Sequence, residues 1–254
     1  KTIHTQTYTV LAFNVPGNGF DGSVIESYLD FTARDVAQLF NLGLEQLEIK
    51  SVYAIIGGSV GGGIAWAMAA LSPQLAQHLI PIATDWKATD WLMANCYLQE
   101  QILNHSSRPI EDARIHAMLC YRTPESFEVK FNRTINDELG VFNIESWLAH
   151  HGEKLQQRFQ LASYKLMNQL LKTIDITRGR GSFESVVAPI TANIHIIGIN
   201  TDLFFTPIEN RKTNLELQKL QLQTSYQEID SIHGHDAFLI EFEQLHRLLA
   251  TVFE

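Results

Sequence analysis

Three stretches of this sequence hold side chains that could act together on an acyl group: Gly57-Gly58-Ser59-Val60-Gly61, Thr201-Asp202, and His233-Gly234-His235-Asp236. A serine hydroxyl is a poor nucleophile until a base within hydrogen-bond reach removes its proton. It also needs an exposed, strained position. The Gly-x-Ser-x-Gly spacing around Ser59 supplies one, because it lies between a β-prone run, Val52 to Ile56, and an alanine-rich helical run, Val60 to Leu71. That strand-turn-helix arrangement is a nucleophile elbow, in which small neighbours let strand and helix pack closely. The turn aims the first helical N–H groups at the reacting oxygen, so the Val60 backbone N–H is an oxyanion donor. Serine, acid and histidine should then follow in that order, each just past a strand end. Asp202 follows the apolar run Ile194 to Ile199, and His235 lies between a short strand and the last helix. In this reading His235 takes and returns the serine proton, while Asp202 holds the imidazole.

Blander readings stand beside each residue. The glycines could form a tight turn without chemistry. Asp202 could simply cap the loop before Thr206-Pro207, and His235 could be a surface histidine. His233-x-His235-Asp236 also has the donor types for zinc. The rest of the chain offers no convincing further ligand cluster, since His150 and His151 are adjacent on a helix and point apart.

The elements that must position these residues read as an α/β chain. Tyr8 to Phe13 is predicted as a strand and Asn14 to Ser23, with Pro16 and three glycines, as a loop. Thr32 and Asp35 have the spacing of a capping box. Val36, Leu39, Phe40, Leu42 and Leu44 are expected on the packed face of the helix that follows. Val52 to Ile56 is an unbroken apolar strand of the buried parallel kind, and Leu79 to Ala83 is another. From Asp85 to about Pro189 no strand is predicted; the stretch is helical and rich in aromatics, as a cap would be. Strands at Ile194–Ile199 and Tyr226–Ile229 follow, with helices from Pro207 to Leu222 and from Ala237 to Val252. The expected division is core over 1–84, cap over 85–189 and core over 190–254.

Bulk properties narrow the function classes. The chain has 254 residues, 45% hydrophobic and 19% charged, enough for one large domain with an inserted cap. The net charge of -9 argues against nucleic acid, whose phosphates demand clustered Lys and Arg. Val52 to Leu71 is apolar enough to imitate a membrane span, but its glycine-serine break marks a buried strand feeding a buried helix. The two cysteines, Cys96 and Cys120, are isolated, and Lys1 to Thr9 lacks the apolar core of a signal peptide. Both point to a reducing cytoplasm.

At this level of detail the chain resembles the homoserine O-acetyltransferases of the α/β-hydrolase superfamily. The likeness runs through Val52–Ala69, Tyr121-Arg122 to Phe131, Glu145-Ser146-Trp147-Leu148, His151-Gly152-Glu153-Lys154, Arg158-Phe159, Ser163-Tyr164, Arg178-Gly179-Arg180-Gly181, Thr201-Asp202-Leu203-Phe204 and Gly234-His235-Asp236-Ala237-Phe238-Leu239. Val60 stands where the family usually has methionine, and Asn14–Ser23 departs from the family's loop. The resemblance implies an α/β-hydrolase fold, a mostly parallel sheet flanked by helices, with a helical cap insertion. It implies acetyl transfer from acetyl-CoA, a co-substrate rather than a resident cofactor, to L-homoserine in methionine biosynthesis. Arg158 would meet the homoserine carboxylate with Tyr164 nearby, and Asp236 its ammonium group. A homodimer through the cap helices is implied, with no nucleic-acid or membrane partner. Other acyl donors or acceptors (succinyl-CoA, serine), hydrolysis, and a non-catalytic relative are the alternatives.

The family's sheet places a further strand between those corresponding to Tyr8–Phe13 and Val52–Ile56, and takes its second oxyanion donor from the loop after that strand. Nothing in Lys1–Thr9 can be that loop. A mid-sheet gap is therefore expected, to be filled by an upstream N-terminal segment or a separate chain; a continuous sheet would count against it.

Overall fold

In the computed structural model, residues 2–253 are described; Lys1 and Glu254, the end residues of the expected core segments, lie outside them. Four of the described strands form one parallel sheet in the order β1-β2-β5-β6: β1 Val52–Gly58, β2 Ala76–Ile82, β5 Asn193–Ile199 and β6 Thr224–Ile229. Period-two alternation divides their side chains between two layers. Leu79, Ile194 and Ile196 face a core built with α1 (Ala33–Gln46), α2 (Val60–Leu71) and α9 (Pro207–Lys219). Ile80, Ile82, Ile197 and Ile199 face the opposite core, closed by α10 (Phe242–Phe253). This is the expected α/β-hydrolase architecture.

Local signals explain most boundaries. Thr32 and Asp35 make the capping box that starts α1, with Thr32 N donating to Asp35 Oδ2 at 2.8 Å. The helix buries Ala33, Val36, Ala37, Asn41 and Leu44. That stripe corrects the sequence reading, because Leu39 and Leu42 are 43% and 46% exposed. Helix α2 spans the predicted Val60–Leu71 and is buried on all sides from Gly62 to Ala70, as an apolar helix without a polar face must be.

The segment Tyr8–Phe13 is not a strand. Its ends are tied down by aromatic contacts, Tyr8 against Tyr53 at 5.1 Å and Phe13 stacked on Phe40 at 4.8 Å. Between them Thr9 to Ala12 is exposed and belongs to no strand. High β propensity does not make a strand without a neighbour to hydrogen-bond. The expected mid-sheet gap is accordingly absent. The sheet is continuous, and β1, predicted as a buried interior strand, forms its edge; Ile56 there is 38% exposed.

The cap runs between β2 and β5 as α3 (Asp90–His105), α4 (Pro109–Tyr121), α5 (Pro124–Phe131), α6 (Asn143–Gln156), α7 (Leu161–Lys172) and α8 (Phe183–Val187). One correction applies here too. A small antiparallel pair, β3 Ile135–Asn136 and β4 Val141–Phe142, sits inside the region predicted to lack strands. Its tight turn at Gly140, with φ 66°, closes a hairpin too short for any periodicity to announce. Before α10 the chain makes a separate 3-10 turn, Gly234–Leu239, in place of one continuous helix from Ala237. Among the described residues no helix is long and apolar enough to cross a membrane.

The elbow depends on close backbone approach. A Cβ added at Gly57 would lie 2.2 Å from the Gly61 carbonyl oxygen, a backbone atom held in α2. One at Gly61 would meet nothing within 4 Å. Gly57→Ala is therefore expected to cost roughly 2–5 kcal/mol of stability, since a rigid clash must be relieved by moving strand or helix. Gly61→Ala should leave stability within about 1 kcal/mol of the parent. Denaturant midpoints of the two variants check this, and equal midpoints would refute it.

Candidate active site

Ser59 closes β1 and precedes α2, with φ 53° and ψ -125°. This is a strained conformation for a residue with a side chain, of the kind stored at functional sites. Packing over-determines it. Ser59 N donates to Ile82 O at 2.9 Å, and Ser59 O accepts from Gly62 N and Gly63 N at 2.9 and 3.2 Å. Its side chain caps no helical N–H and turns instead to His235, with Oγ 2.9 Å from Nε2. Val60 is the first helical residue, so its N–H has no intrahelical acceptor.

Asp202 follows β5 and is 2% exposed. Its Oδ1 accepts from Phe204 N and Phe205 N at 2.7 and 2.9 Å. Its Oδ2 lies 2.8 Å from His235 Nδ1. The loop-ordering and histidine-holding readings are thus both true, one for each oxygen. A buried carboxylate can only accept there, so His235 Nδ1 carries the proton and Nε2 is the acceptor facing the Ser59 hydroxyl. His235 is 3% exposed. It is walled by Phe204, Phe205, Phe238 and Tyr121, whose ring centroids stand 5.2 to 5.7 Å away. Such walls fix the imidazole and keep water from competing for its two hydrogen bonds.

The histidine loop is bolted to the cap. Thr123 Oγ1, at the start of α5, donates to Ile232 O, and Ser126 Oγ lies 2.9 Å from His233 Nδ1. Gly234, with φ 64°, passes 3.0 Å from Tyr121 O measured from where a Cβ would stand. His233 is thereby engaged in holding cap to core. Among the described residues no group of three or more His, Cys, Asp and Glu side chains could hold a metal ion.

The other predicted residues are placed differently. Asp236 lies next to His235, and its Oδ2 accepts from Arg122 Nε at 3.0 Å. Tyr164 is on α7 with the Phe159 ring 5.9 Å away, and burial pushes its hydroxyl pKa far up. Burial likewise raises Tyr121, to about 12. Arg158, two residues past the end of α6, is exposed, and no ion pair joins it to a described carboxylate. The structure brings Ser59, Asp202 and His235 into one hydrogen-bonded chain and leaves Arg158 outside it.

Sequence reasoning missed Arg122 as the partner of Asp236 and the aromatic box around His235. The Tyr121-Arg122 pair stands in a cap segment of the sequence, but nothing local says which residue it faces. It also missed Asp85, just past β2. This buried carboxyl accepts from Trp86 N and Thr213 Oγ1, both at 2.8 Å, and from Asn210 Nδ2 at 3.1 Å. Burial outweighs those bonds and raises its pKa to about 6. It ties β2 to α9 and does not touch the triad. A cleft of about 920 Å³ lined by Lys87, Asp90, Lys172 and Arg178, among others, also lies apart from the triad residues.

Residues 2–104 match the family model described as alpha/beta hydrolase fold. The chain is 33% identical over 242 residues to the homoserine O-acetyltransferase of Cyclobacterium marinum, covering 89% of this chain and 67% of that protein. It is 32% identical over 233 residues to the enzyme of the same name from Chloroherpeton thalassium, covering 86% of this chain and 60% of that one. The chain thus spans about two thirds or less of the length of these relatives. The crystal structure of homoserine O-acetyltransferase from Bacillus anthracis superposes with a TM-score of 0.82 at 19% identity, over 96% of this chain and 72% of that one.

Proposed function

The chain belongs to the homoserine O-acetyltransferase family of α/β-hydrolases, and on that premise we propose that it moves an acetyl group from acetyl-CoA to the hydroxyl of L-homoserine. The observation that carries the proposal is the chain Ser59 Oγ–His235–Asp202, with links of 2.9 and 2.8 Å. His235 Nε2 takes the Ser59 proton as Oγ attacks the thioester carbonyl. The Val60 N–H receives the oxyanion that forms. Collapse expels CoA as thiolate, which takes up the proton from His235. The homoserine hydroxyl then gives its proton to His235 and attacks the acetyl-Ser59 ester; collapse releases O-acetylhomoserine and returns the proton to Ser59. Water in place of homoserine would make the same cycle a hydrolysis, so exclusion of water by the aromatic wall and cap is part of the transferase reading.

Tyr164, Asp236 and Arg158 are the proposed acceptor-binding residues. A zwitterion needs a fixed charge of each sign, and a charge-assisted bond is the strong kind. The Asp236 oxygen not engaged by Arg122 is the proposed partner of the ammonium group, and Arg158 is the proposed partner of the carboxylate. Exposed Val129, Ile135 and Leu139 on the cap support a proposed homodimer. Methionine biosynthesis in the cytoplasm is the proposed setting.

The test follows free thiol. Acetyl-CoA with L-homoserine should release CoA continuously; acetyl-CoA alone should give at most one equivalent and an acetyl adduct on Ser59 by mass spectrometry. Equal continuous release without homoserine would make the protein a thioesterase instead.

The outer edge of β1, with exposed Ile56, leaves a row of strand N–H and C=O groups without a partner strand among the described residues. We propose that an upstream segment or a separate chain pairs along this edge. Amide exchange at residues 52–58, compared between protein isolated from cells and residues 1–254 alone, checks this. Equally fast exchange at the outward N–H groups in both would refute it.

A further inference from the structure

We infer that Arg114, with the hydroxyls of Tyr121 and Tyr164, forms a second anion-binding point that fixes the carboxylate of an amino-acid acceptor inside the cap; the inference rests on the acyl-transfer reading. Arg114 lies on α4, its guanidinium carbon 5.7 Å from the centre of the Tyr121 ring. That ring is itself 5.5 Å from the ring of His235. Arg114 is half-buried, yet among the described residues no carboxylate stands within ion-pair distance of it. Two other cap cations are committed, Arg122 to Asp236 and Lys172 to Glu100.

The neighbours of Arg114 are of the right kind. Its charge acts on both Tyr121 and Tyr164, opposing the effect of their burial. Neither phenol has a hydrogen-bond partner among the described side chains, so both O–H groups can donate to an incoming oxygen. Asp236 acts on Tyr121 with the opposite sign. Tyr121 therefore has a fixed cation and a fixed anion as neighbours, beside the base that must deprotonate the acceptor. That is the charge pattern of an α-amino acid. A guanidinium presents its donors as a planar fork matched to a carboxylate, which a lysine does not. A half-buried cation without a partner is costly to keep, and a bound carboxylate offsets that cost. Arg158 is the exposed cation proposed for the same carboxylate, and Arg114 is the half-buried one.

The competing account is packing alone, with Arg114 stacked on Tyr121 as a cation–π contact between cap helices. Calorimetry on the full chain carrying Ser59→Ala separates the two, because binding is then read without turnover. The probes are L-homoserine and 3-aminopropan-1-ol, which lacks only the carboxylate. The Ser59→Ala protein should prefer L-homoserine. Adding Arg114→Gln should reduce that preference by about 10- to 100-fold, the range of a charge-assisted bond, and Arg114→Lys should restore part of it. Thermal melts confirm that each variant is folded. A preference unchanged by Arg114→Gln, an equal loss for both probes, or no binding of L-homoserine would overturn the inference. Failure of the acyl-transfer reading shows separately, as absence of an acetyl adduct on Ser59 in the otherwise unmodified protein.

Discussion

Ser59→Ala is expected to abolish homoserine-dependent release of CoA, with a loss on the order of 10⁴-fold or more in turnover. The magnitude follows from what the substitution removes. Every covalent step passes through Oγ, and no other hydroxyl occupies the elbow. What remains is binding and one backbone donor, which can assist only direct attack. The fold should survive, because Ser59 makes no side-chain cap to α2 and its backbone bonds to Ile82, Gly62 and Gly63 do not involve Oγ. An alanine still carries the Cβ that the strained backbone tolerates. The measurement is thiol release at saturating L-homoserine, with intact-protein mass after brief exposure to acetyl-CoA. Residual activity within about tenfold of the parent would assign the chemistry to another group and remove the basis for the proposed function.

Asp202→Asn should be nearly as severe, on the order of 10³- to 10⁴-fold in turnover, without loss of structure. The reason is tautomeric. Asp202 Oδ1 accepts from Phe204 N and Phe205 N, and an asparagine carbonyl placed there can keep both bonds. Its amide nitrogen then stands where Oδ2 now lies, 2.8 Å from His235 Nδ1. Two donors cannot face each other, so the imidazole must shift its proton to Nε2. That nitrogen would donate toward Ser59 and could no longer take its proton. The expected signature is loss of both the acetyl adduct and continuous turnover, with an unchanged thermal melt. A fall of less than tenfold would show that Asp202 serves only to order the Phe204–Phe205 turn.

The triad was legible because its geometry is carried by local patterns in a fixed order. The glycine spacing around Ser59, the apolar run before Asp202 and the loop before the last helix are each written within a few residues. Together they imply strand ends along one edge of a parallel sheet. The pairing of Arg122 with Asp236 was not legible, because two residues 114 positions apart met only through the docking of α5 on the histidine loop. The same holds for the box around His235. Phe204, Phe205, Phe238 and Tyr121 are ordinary core aromatics until three separate segments converge on one ring.

Tyr8–Phe13 and β1 show the same limit in the sheet. Both read as strands, and only one is. Val52–Gly58 found β2 beside it, whereas Thr9–Ala12 found no backbone to bond. A strand is a relation between two segments, so propensity in one of them cannot decide it. Leu39 and Leu42 make the point for helices: both are apolar and both face out, because α2 met the stripe from Ala33 to Leu44 instead.

By itself, then, the sequence determined the α/β alternation, the elbow, the order of nucleophile, acid and base, and the helical character of the cap. These rest on short-range sterics and periodicity, which act within a few residues. Tertiary structure alone decided that β1 is an edge, that Asp202 serves two tasks, that Arg122 claims one oxygen of Asp236, and that Arg114 has no carboxylate partner beside Tyr121. Those outcomes depend on which surfaces meet, and contact between distant segments is settled only when the whole chain competes for burial and for hydrogen-bond partners.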